Sequence, residues 1–319
     1  MADPISKDWT GDHAVLLVHG IGNATPGSYD WLVQDLEKIL GKSAAKTTMY
    51  ELYYDEYNDW LAGKTQLASQ IGALVQWFKL KGGGDDVAGT AAEYGGDIIW
   101  PVLSVAGREI VRTAFMAQLK QIVQDGIRGG LDGPEQKISI ICHSLGCFHT
   151  YEVLHTIAND PRHGLTPATD GVRFANVIMM ASPVQVIRSA ALDLNSHVAG
   201  IIPKCDALAT ANPKGLSIPG QAGYKGKWVS STDNFVAIAG DMDPVGGHLL
   251  GKKMPWGYMN LPGQRSIIDQ QQILPKVDFI STLKSSLRSG APPDIKPNDP
   301  HSWGAYVDRH ATDLVQWLG

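Results

Sequence analysis

Four predominantly apolar runs of strand length constrain this chain more than any other feature: Ala14–Val18, Ile138–Cys142, Val177–Ala181 and Phe235–Ala239. Each is bounded by turn residues, and longer amphipathic stretches separate them. A strand with no polar side to turn toward water needs cover on both faces. A mostly parallel sheet flanked by helices supplies that cover, so the expected architecture is a doubly wound α/β fold. The composition permits it: 319 residues that are 44% hydrophobic and 18% charged provide ample core. The length fits a single α/β domain over 1–319 with long insertions.

Between the strands, Leu32, Leu36, Ile39 and Leu40 recur at helical spacing within Tyr29–Leu40, and Gly41 follows as a stop signal. Thr47–Tyr54 reads as the next strand. Two further stripes, Leu67/Ile71/Leu74/Val75/Phe78 and Phe115/Leu119/Ile122/Val123, each share one helical face and are expected to face the core. A sharper reading makes this region, about 60–125, a helical lid. Its motive is the glycine joints Gly82–Gly84 and Gly95-Gly96 beside the apolar run Ile98–Ala106. A second insertion, about 184–232, is interrupted by Pro203, Pro213 and Pro219, which argues against one continuous regular element. Connections this long are often lids or binding loops.

Other classes are disfavoured. With 27 Lys+Arg against 32 Asp+Glu, the net charge is −5, which offers no broad positive field for nucleic acid. Cys142, Cys147 and Cys205 form neither a disulfide framework nor a zinc pattern, and no metal or organic cofactor is expected. The longest apolar run is broken by Pro101 and is too short to span a bilayer. Met1–Trp9 lacks the features of a secretory signal, so cytoplasmic residence is the default expectation; export without a cleaved signal, or a chain starting at its mature residue, stays open.

The strongest local signal is Lys137-Ile-Ser-Ile-Ile-Cys-His-Ser-Leu-Gly-Cys147, where an apolar strand runs into Ser144 and then into the helix-compatible stretch Phe148–Ile157. A serine on such a turn is lifted above the sheet, and the N–H of Leu145 points from the helix start to where negative charge would develop. Close packing two residues on requires a small residue, and Gly146 supplies it.

On these residues the chain resembles the α/β-hydrolase family, whose nucleophile elbow reads G-x-S-x-G. Cys142 stands here in place of the first glycine. A second match is Ala14-Val-Leu-Leu-Val-His-Gly-Ile-Gly22, similar to the strand and oxyanion loop of that family. The resemblance implies an oxyanion hole built from the N–H groups of Ile21 and Leu145, with His19 ordering the loop. With thirteen residues before Ala14, the opening hairpin of the full fold is expected to be missing, which resembles the abridged sheet of bacterial lipases.

A serine hydroxyl needs a base and an orienting acid, and in this family they follow in the order Ser, acid, His. Asn234–Gly240 followed by Asp241-Met-Asp243-Pro-Val245 resembles the acid-bearing strand and loop, in a register that selects Asp243, with Asp241 as rival. Asp299-Pro-His-Ser-Trp-Gly-Ala-Tyr306 looks like the histidine loop, which implies His301 as base ahead of a terminal helix Asp308–Leu318. His310, inside that helix, and His248 are the outsiders. The implied activity is a serine hydrolase cleaving carboxylic esters, lipase- or esterase-like, acting on apolar acyl esters. Trp100, Trp256 and Trp303 and the lid-like segments motivate the lipid preference. The implied partners are a small-molecule or lipid ester and peripheral contact with a lipid surface. A thioesterase, amidase or acyltransferase would use the same triad, and a non-catalytic binding protein would keep the fold alone.

Overall fold

The structure is a computed structural model that describes residues 3–20, 25–54, 105–132, 135–165, 172–184, 221–224, 227–230, 232–240, 264–269 and 302–319. In chain order the elements are β1 (His13–Val18), α1 (Asp30–Leu40), β2 (Thr47–Leu52), α2 (Val105–Arg128), β3 (Lys137–His143) and α3 (Leu145–Asn159). They continue as β4 (Phe174–Met180), β5 (Gln221–Tyr224), β6 (Lys227–Ser230), β7 (Thr232–Gly240), β8 (Gln264–Asp269), α4 (Trp303–Arg309) and α5 (Ala311–Leu318). The main sheet has the order β2-β1-β3-β4-β7-β8, and every neighbouring pair is parallel. β5 and β6 form a separate antiparallel pair.

Strand alternation sends successive side chains to opposite faces, and both faces here are apolar. On one, Ala14, Leu16 and Val18 of β1 and Ile138, Ile140 and Cys142 of β3 pack with Phe115, Leu119 and Ile122 of α2 and Phe148 of α3. On the other, Val15, Leu17, Ile141 and Ile178 meet Leu32, Leu36 and Leu40 of α1 and Tyr306, Leu314 and Leu318 from the C-terminal helices. Burial of each such side chain contributes roughly 1.5–3 kcal/mol. The fold is therefore the expected parallel α/β arrangement with helices on both faces.

A buried polar ladder fastens the C-terminus to the sheet. Asn176 Nδ2 donates to Ser139 Oγ at 2.9 Å and to the Trp317 carbonyl at 2.7 Å. His13 Nδ1–H donates to the Leu318 carbonyl at 3.0 Å, and its Nε2 lies 2.8 Å from Ser139 Oγ. Strand side chains thus satisfy carbonyls that a helix end would leave without partners.

The C-terminal segment departs from the expected single helix. It is two helices, broken at His310, which follows the last residue of α4 and precedes the first of α5. His310 Nδ1 lies 3.0 Å from Asp313 Oδ2, so this histidine orders the break between the helices. Among the described residues, no helix is long and apolar enough to cross a membrane. The stripe Leu67–Phe78, the glycine joints and most of both insertions lie outside the described residues.

Candidate active site at the carboxyl edge of the sheet

In a parallel sheet all strands end at one edge, and ligands settle where consecutive connections leave to opposite faces. That point lies between β1 and β3. The helix after β1 packs on one face and the helix after β3 on the other. Two sequence-predicted loops meet there, the one following Val18 and the one carrying Ser144.

Ser144 has φ 51° and ψ −128°, a left-handed conformation that L residues rarely adopt. Such a conformation costs of order 1–3 kcal/mol and persists where surrounding structure imposes it. The constraints are visible. Ser144 N–H donates to the Met180 carbonyl at 3.0 Å, anchoring the turn to β4, and Cys147 N–H returns to the Ser144 carbonyl at 3.0 Å. Leu145 starts α3 directly afterwards.

The two loops interlock through missing side chains. A Cβ on Gly20 would lie 2.6 Å from Ser144 Cβ. A Cβ on Gly146 would lie 2.2 Å from the His19 carbonyl oxygen and 2.5 Å from that of Val18. These distances are far below contact, so glycine at both positions is what lets the serine turn rest on the β1 loop.

His19 is buried behind that loop. Its Nδ1–H donates to the Gly20 carbonyl at 2.9 Å, and its ring stacks on Tyr54 at 4.4 Å and on Tyr29 at 5.3 Å. Burial pushes its pKa down to about 4, against the pull of the Gly20 and Leu52 carbonyls. The ring is neutral near pH 7. The Tyr54 hydroxyl lies 2.6 Å from the His19 carbonyl and 2.8 Å from that of Gly20, holding both carbonyls on its side of the loop. His149, in the second turn of α3, meets Tyr54 edge-on at 5.1 Å, and burial with the charges of His19 and Arg108 holds its pKa near 3. Tyr54, His149 and Arg108 carried no motif in the sequence; only the fold gathers them.

On the opposite side, His143 stacks on Trp303 at 5.6 Å, and Trp303 meets Tyr29 edge-on at 5.5 Å. Trp303 opens α4, and the preceding Ser302 caps it by accepting the Ala305 N–H at 3.2 Å. The start of α4 thus lies against the residue before Ser144. The backbone ladder Ser144–Met180 continues as Ala181 N–H to the Ile238 carbonyl at 3.0 Å, two residues before β7 ends at Gly240. β8 ends at Asp269, in register with Gly240, a carboxylate-bearing position that sequence reasoning missed because Gln264–Asp269 has only two apolar residues.

Ser144 and Leu145 are therefore described, whereas Ile21, Asp241, Asp243, His248 and His301 lie outside the described residues. Among the described residues, no three His, Cys, Asp or Glu side chains gather as a metal site. Cys142 and Cys147 are free thiols buried under the turn, and burial raises the pKa of Cys147.

No protein-family model matches the chain, and no curated protein matches it significantly. Among solved structures it is similar to ClbQ from the colibactin NRPS/PKS pathway, at 12% identity over 97% of this chain and 100% of that one, with a TM-score of 0.32.

Proposed function

We propose that the protein is a serine hydrolase that cleaves carboxylic esters, with apolar acyl esters as substrates. The observation that carries this reading is the left-handed turn at Ser144, at the strand-to-helix junction facing the β1 loop. Such a conformation persists only where its surroundings impose it, and here it sets a serine at the junction where a helix N-terminus begins.

In this reading Ser144 attacks the ester carbonyl while His301 takes its proton, and Asp243 holds the imidazole. The N–H groups of Leu145 and Ile21 stabilise the oxyanion. Collapse of the tetrahedral intermediate expels the alcohol, protonated by His301, and leaves an acyl-serine that water hydrolyses in a second, equivalent step. Support for His301 comes from its neighbourhood: it directly precedes Ser302, and Trp303 stacks on His143. Support for Asp243 comes from the loop after β7, which starts at the same sheet edge.

A fluorophosphonate probe tests the reading. Labelling at Ser144 that disappears in Ser144→Ala is the expected result, together with a loss of ester turnover of about 10⁴-fold or more in Ser144→Ala and in His301→Ala. Folded protein that takes no label would instead be a binding protein on this fold.

A further inference from the structure

Arg108 is a cation placed where it has little to neutralise it. It lies in α2, close to the carboxyl edge of the sheet, and its residue is only 7% exposed. Among the described residues its ion-pair partner is Glu152 Oε1, at 3.7 Å from Nη1 and beyond hydrogen-bond distance, and Nη1 has no hydrogen-bond partner. Close enough on α3 to feel its charge, His149 is 2% exposed, and among the described residues its Nε2 likewise has no hydrogen-bond partner. A buried guanidinium nitrogen without a hydrogen-bond partner is unfavourable in a core, and a carboxylate at 3.7 Å offsets its charge without satisfying its N–H groups. An orphaned guanidinium nitrogen beside an orphaned imidazole nitrogen marks a place built to be completed by something with acceptor oxygens.

That place adjoins the candidate active site. His149 touches Tyr54, the Tyr54 hydroxyl reaches the Gly20 carbonyl, and Gly20 faces Ser144. We infer that Arg108 and His149 form a subsite for an anionic oxygen group, so that the preferred substrate is an ester carrying a carboxylate a few bonds from the scissile carbonyl. Arg108 supplies the charge, and neutral His149, with its proton on Nε2, donates a second hydrogen bond. The inference rests on the ester-hydrolase reading for its substrate class and refines the apolar preference to a chain with an anionic end.

The anion could sit on the acyl or the alcohol side, and matched pairs separate the two. Monomethyl adipate against methyl hexanoate probes the acyl side; γ-hexanoyloxybutyrate against butyl hexanoate probes the alcohol side. Calorimetric binding to full-length Ser144→Ala is expected to favour the charged member of one pair by about ten-fold or more, since charged hydrogen bonds are the strong ones. In the same background Arg108→Gln is expected to bring that ratio to near unity, and Arg108→Lys to keep part of it. Should Arg108→Gln not fold, Glu152→Gln gives a second arm: removing the competing carboxylate is expected to tighten the charged ligand several-fold. Equal affinity within both pairs, or a preference that survives Arg108→Gln, or no gain in Glu152→Gln, overturns the subsite. Turnover by the unsubstituted protein distinguishes the two readings. Ester cleavage without charge preference sinks the subsite alone, and charge-selective binding without cleavage sinks the hydrolase reading alone.

Discussion

One methyl group is enough to part the serine turn from the loop beneath it. At Gly146 the added Cβ would meet two backbone carbonyl oxygens, at 2.2 and 2.5 Å, and backbone in β1 cannot move without breaking its parallel pairing. Gly146→Ala is therefore expected to destabilise the protein by about 1–3 kcal/mol or more and to abolish labelling at Ser144, read by urea denaturation and by the probe. Gly304→Ala is the control. Its Cβ would come no closer than 3.4 Å to the ring of Trp31, an ordinary contact. There the helical preference of alanine, roughly 0.5–1 kcal/mol, is expected to leave stability equal or slightly raised. A result in which both variants behave alike would mean that the loop and the turn do not rest on each other.

At the scale of elements, Trp303 ties the start of α4 to the site. Trp303 is buried, stacked on His143 and edge-on to Tyr29, while its indole N–H has no partner among the described residues. Trp303→Ala opens a large cavity and is expected to cost about 3–5 kcal/mol. Trp303→Phe keeps a ring and removes an unsatisfied donor, so its cost is expected to be much smaller. If His301 is the base, turnover should follow the same ranking, because the loop bearing it leads straight into this helix; equal turnover in both variants would separate α4 from the chemistry. The strands were legible because a doubly covered strand has to be apolar nearly throughout: the run Ile138–Cys142, broken only by the hydrogen-bonded Ser139, lies within β3, and the run Phe235–Ala239 within β7. Helix α1 was legible from Leu32, Leu36 and Leu40, all buried. β8 was not, since Gln264, Arg265 and Ser266 give a strand no apolar signature. The break at His310 was also missed, because the apolar spacing of Tyr306, Val307 and Leu314 continues across it and carries no stop residue. The serine turn itself was readable from strand, Ser and Gly, but the packing of Gly20 against Ser144 is a contact between distant segments, and no local pattern encodes it.

Across the described residues, His13, His19 and His149 are buried with lowered pKa values in the folded state and become solvated on unfolding. Burial is the largest cause lowering each pKa: His19 to about 4, His149 to about 3, and His13 below its ordinary value despite the Leu318 carbonyl. For His149 the charges of His19 and Arg108 push the same way. The unfolded histidines titrate near 6.5, so between that pH and the folded values the unfolded chain binds protons that the folded chain refuses. Their contribution to stability is fully present above about pH 6.5. It is lost progressively as the pH falls, and is gone once the pH passes below the folded pKa values, about 4 for His19 and about 3 for His149. Each such group adds up to about 1.4 kcal/mol per pH unit, so urea denaturation at pH 5 should give a stability several kcal/mol below that at pH 7. His149→Gln removes one titrating ring, and its slope should be shallower by about one proton. Equal slopes in the two proteins, or a flat profile between pH 7 and 5, would mean that His149 reaches solvent in the folded state, and would leave Arg108 beside a ring that water already satisfies.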